Sequence, residues 1–236
     1  MRTAGKVTAE ILEKLESFIK PGVSTMDIDR FVEEFIRKKE MVPSFKGLYD
    51  FPASACVSVN EEVVHGIPSE KRTLQEGDIV SVDTGATYKG YVSDAARTYG
   101  VGTISPEVRH LIDTARDSFF EGLKFCKVGY RLSDISHAIQ EKVESEGFGV
   151  IRDFVGHGVG RDMHEDPQIP NFGAPGRGPR LAKGMVFAIE PMITQGSYEV
   201  ETLLDNWTVV TLDGKLAAHY ENSVVITDGE PELLTL

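Results

Sequence analysis

The chain has 236 residues, 41% of them hydrophobic and 26% charged, which is an ordinary globular composition for one large domain or two small ones. Its formal net charge of −12 excludes a nucleic-acid-binding face, because phosphate neutralisation needs clustered basic side chains. No apolar run approaches the ~20 residues that span a bilayer, and the amino terminus lacks the apolar stretch of a secretory signal. The composition therefore predicts a cytoplasmic protein that binds neither nucleic acid nor membrane.

Helical periodicity occurs twice in each half of the chain. Apolar residues three to four positions apart predict four helices, over 4–20, from Asp27 onward, over 108–125 and over 134–146. Short β-branched segments bounded by Gly or Asp predict strands over 55–64, 78–84, 87–98, 185–194, 207–212 and 219–227. Helices grouped beside strands that form hairpins indicate the α+β class.

The chain repeats its own pattern once, at an offset of 107 residues, so that Asp83 and Glu190 end equivalent strands. Two halves, about 1–105 and 106–236, related by a pseudo-two-fold axis would build one curved antiparallel sheet. Helices would pack on its outer face, and a site would lie between the halves. No low-complexity linker separates the halves, so we predict a single domain over residues 1–236.

Four acidic residues occupy related positions on the predicted strands. Asp83 and Asp94 flank a Lys89-Gly90 turn, which brings both carboxylates to one face of a hairpin. Glu190 and Glu221 are their counterparts in the second half. Four carboxylates in a low-dielectric cleft repel one another unless their pKa values rise or cations bind between them. Metal binding is the simpler solution.

Histidines beside glycines add a second type of ligand. His157 lies between Gly156 and Gly158, which let the backbone approach a ligand closely. His164 follows seven positions later, which is not the spacing of a helical zinc pair, so we expect different roles, with His157 as the ligand. Four carboxylates and one imidazole suit two ions of Mn, Fe, Co or Zn rather than one structural zinc. His65 also has a glycine neighbour, whereas three other histidines lack one and are predicted to be structural or exposed: His110, His137 and His219.

Five motifs follow one another in order along the chain: Asn60 to Pro68, Asp83 with Asp94, Gly156 to Gly160, Glu190-Pro191 and Glu221-Asn222. Together they resemble the motifs of type I methionine aminopeptidases, which have the pita-bread (creatinase/aminopeptidase) fold. The resemblance covers nearly the whole chain. One motif alone would be a weak signal, but the ordered set is highly specific.

The resemblance implies a dinuclear metal site with five protein ligands: Asp83, Asp94, His157, Glu190 and Glu221. Asp94 and Glu221 would bridge two divalent ions, for which cobalt, manganese, iron, zinc and nickel are candidates. A monovalent cation near Asn60 is implied as well. A dimetal-activated hydroxide would attack the first peptide bond, with Glu190 as the proton shuttle.

The resemblance also implies the substrate contacts. One of His65 and His164 would hydrogen-bond the developing oxyanion and the other would hydrogen-bond the scissile amide nitrogen, and the two roles could be exchanged. A methionine side chain suits a soft apolar slot, and four residues are implied as its walls: Cys56, Phe51, Met163 and Trp207. Leu48, Phe51 and Met163 depart from the commonest family pattern, which has hydroxyl-bearing aromatic residues and Phe there.

The implied function is removal of amino-terminal methionine from nascent proteins and peptides, preferentially when the second residue is small. The enzyme would be a monomer, with the ribosome as a candidate partner. The alternative is a proline-directed exopeptidase of the same fold, an aminopeptidase P or prolidase, but those usually carry a large amino-terminal domain. A binding module without catalysis would lack the ligands. A type II enzyme would need a helical insertion, for which the 33 residues from His157 to Glu190 leave little space.

Overall fold

Four long helices and one short 3-10 turn are present in the computed structural model, which describes residues 1–236. The helices are α1 (Arg2–Phe18), α2 (Thr25–Lys38), α3 (Pro106–Leu123) and α4 (Leu132–Ser145), and the 3-10 turn is Leu48–Asp50. All four predicted helices are confirmed, with boundaries that shift by about two residues. None of the helices is both long and apolar enough to cross a membrane.

Fifteen short strands, paired only in antiparallel fashion, complete the α+β architecture. They are β1 (Val42–Pro43), β2 (Ala55–Val59), β3 (Glu62–Val64), β4 (Ile79–Tyr88), β5 (Tyr91–Gly100), β6 (Gly149–Val150), β7 (Gly156–Gly158), β8 (Glu165–Ile169), β9 (Val186–Ile189), β10 (Met192–Thr194), β11 (Val200–Thr202), β12 (Val209–Thr211), β13 (Ala217–His219), β14 (Asn222–Val225) and β15 (Glu232–Leu233). Within this architecture the strands form four hydrogen-bonded groups.

Three predicted strands prove to be interrupted: 55–64, 185–194 and 219–227. Asn60, in a left-handed conformation with φ of 59°, separates β2 from β3. Glu190 and Pro191 separate β9 from β10, and Tyr220 and Glu221 separate β13 from β14. In both cases the chain leaves one strand group and joins another. Two of the four predicted acidic ligands therefore stand where the chain changes sheets.

The predicted duplication is visible in the hydrogen bonding. An isolated bridge pairs Ser24 with Thr73, and another pairs Arg131 with Arg180, each residue being 107 positions after its counterpart. Each half also has its own hydrophobic core. One core of 18 buried residues lies beneath α1 and α2, and one of 20 lies beneath α3 and α4. Strands β4 and β5 correspond to β9 and β14, and these two pairs of strands supply most of the candidate site.

Candidate metal centre

A cavity of about 310 Å³ lies between the two halves. All eleven predicted site residues contribute to its lining: Phe51, Cys56, His65, Asp83, Asp94, His157, Met163, His164, Glu190, Trp207 and Glu221. At least 63 positions separate the five members from the first half, which end at Asp94, from the six members from the second half, which begin at His157, so only the tertiary fold brings them together. The acids and His157 form the polar part of the lining.

The first two acids are positioned by the β4–β5 hairpin. Its turn is Lys89-Gly90, as predicted, and both turn residues have positive φ, of 50° and 76°. Asp83 pairs with Ala96, and Asp94 pairs with Gly85, so the two acids lie two residues apart in register on the same face. The hairpin therefore points both carboxylates to one side of the sheet, as the sequence predicts.

The second pair of acids is fixed by contacts between the halves. The Glu221 backbone N–H donates to the Ala96 carbonyl at 3.0 Å. The Ser223 hydroxyl donates to the Asp94 carbonyl at 2.9 Å and accepts from the Asp94 N–H at 3.0 Å. These bonds join β14 to β5, and they place Glu221 beside Asp94.

His157 has the tautomer that a metal ligand requires. Its Nδ1 lies 2.9 Å from the Gly158 carbonyl oxygen. A carbonyl can only accept, so Nδ1 carries the hydrogen and Nε2 keeps its lone pair. That Nε2 lies 3.6 Å from Asp94 Oδ2 and 3.5 Å from Glu190 Oε1. A lone pair that faces two ionised carboxylates is repulsive unless a cation or a carboxyl proton lies between them.

Burial disfavours the charged form of each acid. It raises the pKa of Asp94 to about 7. Burial, with added repulsion from neighbouring carboxylates, raises the pKa values of Asp83, Glu190 and Glu221 well above their usual range. Burial lowers the pKa of His157 to about 4, which keeps the ring neutral. The site thus lacks a positive charge of its own.

The donor set fits divalent metal ions. Ligand atoms of Asp94, His157 and Glu221 all lie within 4.8 Å of one another, and all three residues are buried. Asp83 Oδ1, Asp94 Oδ1 and Glu221 Oε1 are buried without any hydrogen-bond partner. Unpaired buried carboxylate oxygens are costly, and cations satisfy them directly. Hard oxygen donors with one imidazole suit first-row divalent ions.

Without metal, these acids make stability fall as pH rises. Their pKa values are higher in the folded than in the unfolded chain, so the folded state binds more protons. The stability that this proton binding gives is lost as pH rises through the raised pKa values. The histidines with lowered pKa values have the opposite effect, because they make stability rise with pH. Their effect is confined to pH values below about 6.5, since all of their folded-state pKa values lie below that value. We therefore expect metal-free protein to have a lower Tm at about pH 8.5 than at about pH 6.5, and added Mn(II) to remove the difference. Calorimetry with and without chelator measures this, and an equal or higher Tm at the higher pH would contradict it.

The glycines beside His157 have a structural role different from the one that the sequence predicts. A Cβ at Gly156 would lie 2.4 Å from the Ala188 carbonyl oxygen, and one at Gly158 would lie 2.4 Å from the Asp166 carbonyl oxygen. Both glycines therefore permit the close packing of β7 between β9 and β8 rather than the approach of a ligand. They still fix His157, because they fix the strand that carries it.

His65 and His164 lie on the cavity wall near the acids. His65 has φ of 59°, and its ring contacts the rings of Phe154 and Trp207 edge-on, with centroids 5.5 and 6.2 Å away. Burial lowers its pKa to about 4. His164 is exposed at the rim, where its ring meets that of His157 at 4.4 Å. Both rings can therefore reach a molecule bound against the acids.

The apolar part of the cavity contains the four predicted walls. Phe51, Cys56 and Met163 are about 95% buried, and they belong to one hydrophobic cluster. Trp207 packs edge-on against Phe51 at 5.0 Å. Asp205 holds the Trp207 segment by accepting from the backbone N–H of Trp207 at 2.9 Å. This turn explains why β12 begins at Val209, later than predicted.

Several residues of the site were not predicted from the sequence. Six further apolar or aromatic side chains line the cavity: Phe45, Tyr49, Val64, Phe154, Val155 and Met192. Their only signal in the sequence is proximity to chosen motifs, since Val64 precedes His65 and Phe154 stands three before His157. His219 was placed outside the site, but it is 1% exposed and lies 3.7 Å from Glu221.

Comparison with known proteins gives a consistent result. The sequence profile of metallopeptidase family M24 matches residues 1–228. A methionine aminopeptidase of Clostridium acetobutylicum is 59% identical over 236 residues, which is all of this chain and 94% of that protein. The crystal structure of a methionine aminopeptidase from Thermotoga maritima superposes with a TM-score of 0.98 at 49% identity, covering all of this chain and 94% of that one. The predicted pita-bread fold is thereby confirmed.

A proline-directed enzyme is a more distant neighbour. The structure of a Xaa-Pro dipeptidase from Bacillus anthracis superposes with a TM-score of 0.79 at 25% identity. It matches all of this chain, but the match covers only 59% of its own length. Its additional length agrees with the expectation that proline-directed enzymes of this fold are larger.

Proposed function

The chain belongs to metallopeptidase family M24, and from that premise we propose that it removes the amino-terminal methionine of nascent proteins and peptides. The single observation that carries the proposal is a buried cluster of metal-binding side chains beside an apolar cavity of about 310 Å³. A methionine side chain bound in this cavity would bring the adjacent peptide bond to the acids. We expect a preference for a small second residue.

We propose that two divalent ions bind, with five side chains as ligands: Asp83, Asp94, His157, Glu190 and Glu221. Asp94 and Glu221 would lie between the two ions. When bound, the ions supply Lewis acidity, which lowers the pKa of a water molecule and polarises a carbonyl group. Cobalt, manganese, iron, zinc and nickel ions all accept this mixture of ligands.

Glu190 is proposed to hold and transfer the proton. Its carboxylate lines the cavity, 3.5 Å from His157 Nε2, and burial raises its pKa, which favours the protonated form. His65 and His164 stabilise the transition state, one by donating to the carbonyl oxygen and the other by contacting the scissile amide nitrogen. A neutral imidazole suits either role, because it donates a hydrogen bond without adding charge.

Phe51, Cys56, Met163 and Trp207 are proposed to bind the methionine side chain. An unbranched thioether adapts to an irregular apolar slot and makes favourable contacts with aromatic rings. Met163 itself is a flexible wall, so we expect other unbranched apolar residues to be cleaved more slowly rather than rejected. The departures from the family pattern at Leu48, Phe51 and Met163 all keep this part of the cavity apolar.

The wider setting of the enzyme is also a proposal. We propose that residues 1–236 act as one catalytic domain, as a cytoplasmic monomer, with the ribosome as a candidate partner. A monovalent cation is proposed near Asn60. Its side chain donates to Asp78 and accepts from the Ile79 N–H, which fixes the left-handed turn whose backbone carbonyls would hold such an ion.

The test is release of free amino acid from Met-Gly-Met-Met and Ala-Pro-Gly by metal-stripped protein reloaded with Mn(II), Fe(II) or Co(II). Methionine release that depends on added metal is the expected result. Cleavage of the proline peptide alone would move the chain to the aminopeptidase P branch of the fold. Cleavage of neither peptide would leave only the binding-module alternative.

A further inference from the structure

His219 is a buried histidine that the proposed reaction does not use. It ends β13, two residues before Glu221, and only 1% of it is exposed. Its Nε2 lies 3.7 Å from Glu221 Oε2 and 3.9 Å from Glu190 Oε2. The residue is absent from the cavity lining, so any influence on the reaction runs through its neighbours, which include these two carboxylates.

The backbone of His219 is hydrogen-bonded on both sides, whereas its ring Nε2 has no hydrogen-bond partner. The Thr98 hydroxyl donates to the His219 carbonyl and accepts from the His219 N–H, each at 2.9 Å. Its Nε2 has no hydrogen-bond partner at all. Such an orphaned buried group is rare, and it points to a partner that is close but not yet in contact.

The chemistry around the ring selects the hydrogen on Nε2. Carboxylate oxygens of Glu190 and Glu221 lie within 4 Å of Nε2, and they can only accept when they are ionised, as they would be as metal ligands. A neutral imidazole with its hydrogen on Nε2 would donate to them, whereas the other tautomer would face them with a lone pair. The 3.7 Å separation from Glu221 exceeds a hydrogen bond, but a small rotation of either side chain closes it.

We infer that His219 is a positioning residue whose Nε2–H hydrogen-bonds the carboxylate of Glu221 and orients it for metal binding. The inference rests on the proposed function, because Glu221 is a ligand only there. Hydrogen bonds to ligating carboxylates fix their orientation, and their loss typically weakens metal binding or activity by about 10- to 100-fold. His219 therefore supports the site without touching substrate.

The test compares His219→Leu, which removes the donor, with His219→Gln, which keeps an N–H donor on a flexible side chain. We expect His219→Leu to bind Mn(II) about tenfold or more weakly and to lose kcat by about 10- to 100-fold, with little change in KM. His219→Gln should recover most of both losses. His110→Leu, at an exposed histidine that contacts Glu146, is the matched control and should behave as wild type.

Mn(II) affinity is measured by chelator competition, and the absorption spectrum of Co(II)-loaded protein reports the ligand set. An unchanged spectrum with weakened affinity supports positioning, whereas a changed coordination number would make His219 a direct ligand and overturn the inference. Wild-type affinity in His219→Leu, or equal losses in the Leu and Gln variants, would overturn it too. If His219→Leu does not fold, His219→Met replaces it. Metal affinity needs no turnover, so absence of methionine release by wild-type protein would count against the proposed function alone.

Discussion

Asp94→Asn is expected to lower the rate of methionine release below about a tenth of the wild-type rate. Most of this loss should be a decrease in kcat. Asp94 is 4% exposed and lies at the centre of the acids, with Oδ2 3.6 Å from His157 Nε2. The substitution removes one negative charge and replaces a ligand oxygen by an N–H donor, which repels a cation. Turnover of Met-Gly-Met-Met and bound metal per chain measure the effect, and we expect both to fall.

Two controls separate loss of charge from loss of fold. Asp117→Asn, at a half-buried position on α3 where the residue pairs with Arg116, removes the same charge outside the site and should leave turnover unchanged. Metal-free Asp94→Asn should be at least as stable as metal-free wild type, because one member of a repelling group becomes neutral. Turnover above a tenth of wild type at full metal loading would refute the proposed role of Asp94.

The sequence predicted the acids because their positions obey two local rules. Asp83 and Asp94 flank a two-residue turn, so the pleat of a hairpin determines that their side chains share a face. Glu190 follows from Asp83 through the 107-residue repeat. Rules of this kind depend on neighbours in the chain or on comparison of the chain with itself, and both are readable from a sequence.

The interruption of the strands was not predictable in the same way. Residues 185–194 are mostly apolar and include four β-branched residues, so they predict one strand, although Pro191 lacks the N–H that a continuous ladder needs. Where the chain changes sheets depends on pairing with distant strands, as when Ile193 pairs with Val150 and Ala218. The additional residues of the cavity wall were not predictable for a related reason. In a sequence, an apolar residue such as Phe154 or Met192 gives the same pattern whether it lies in a core or in a pocket.

His65→Ala is expected to lower kcat by about 10²- to 10³-fold and to leave metal content at the wild-type level, because loss of one transition-state hydrogen bond has an effect of that size. His65 lies on the cavity wall with its ring against Phe154 and Trp207, and no acid lies within ion-pair distance of it. It is therefore placed to contact substrate rather than metal. Steady-state kinetics and metal analysis on the same preparation measure the two effects separately.

His164→Ala is expected to lower kcat less than His65→Ala does, since the two histidines occupy different environments. His65 is half-buried, and desolvation lowers its pKa to about 4, while His164 is exposed at the rim beside His157. A hydrogen bond made in a dry environment is stronger than one that competes with water, so the loss in kcat should be larger for His65→Ala. His65→Gln, which keeps a donor, should recover part of the rate. Loss of metal in His65→Ala would instead reassign His65 as a ligand, and the present assignment of the five ligands would then be wrong.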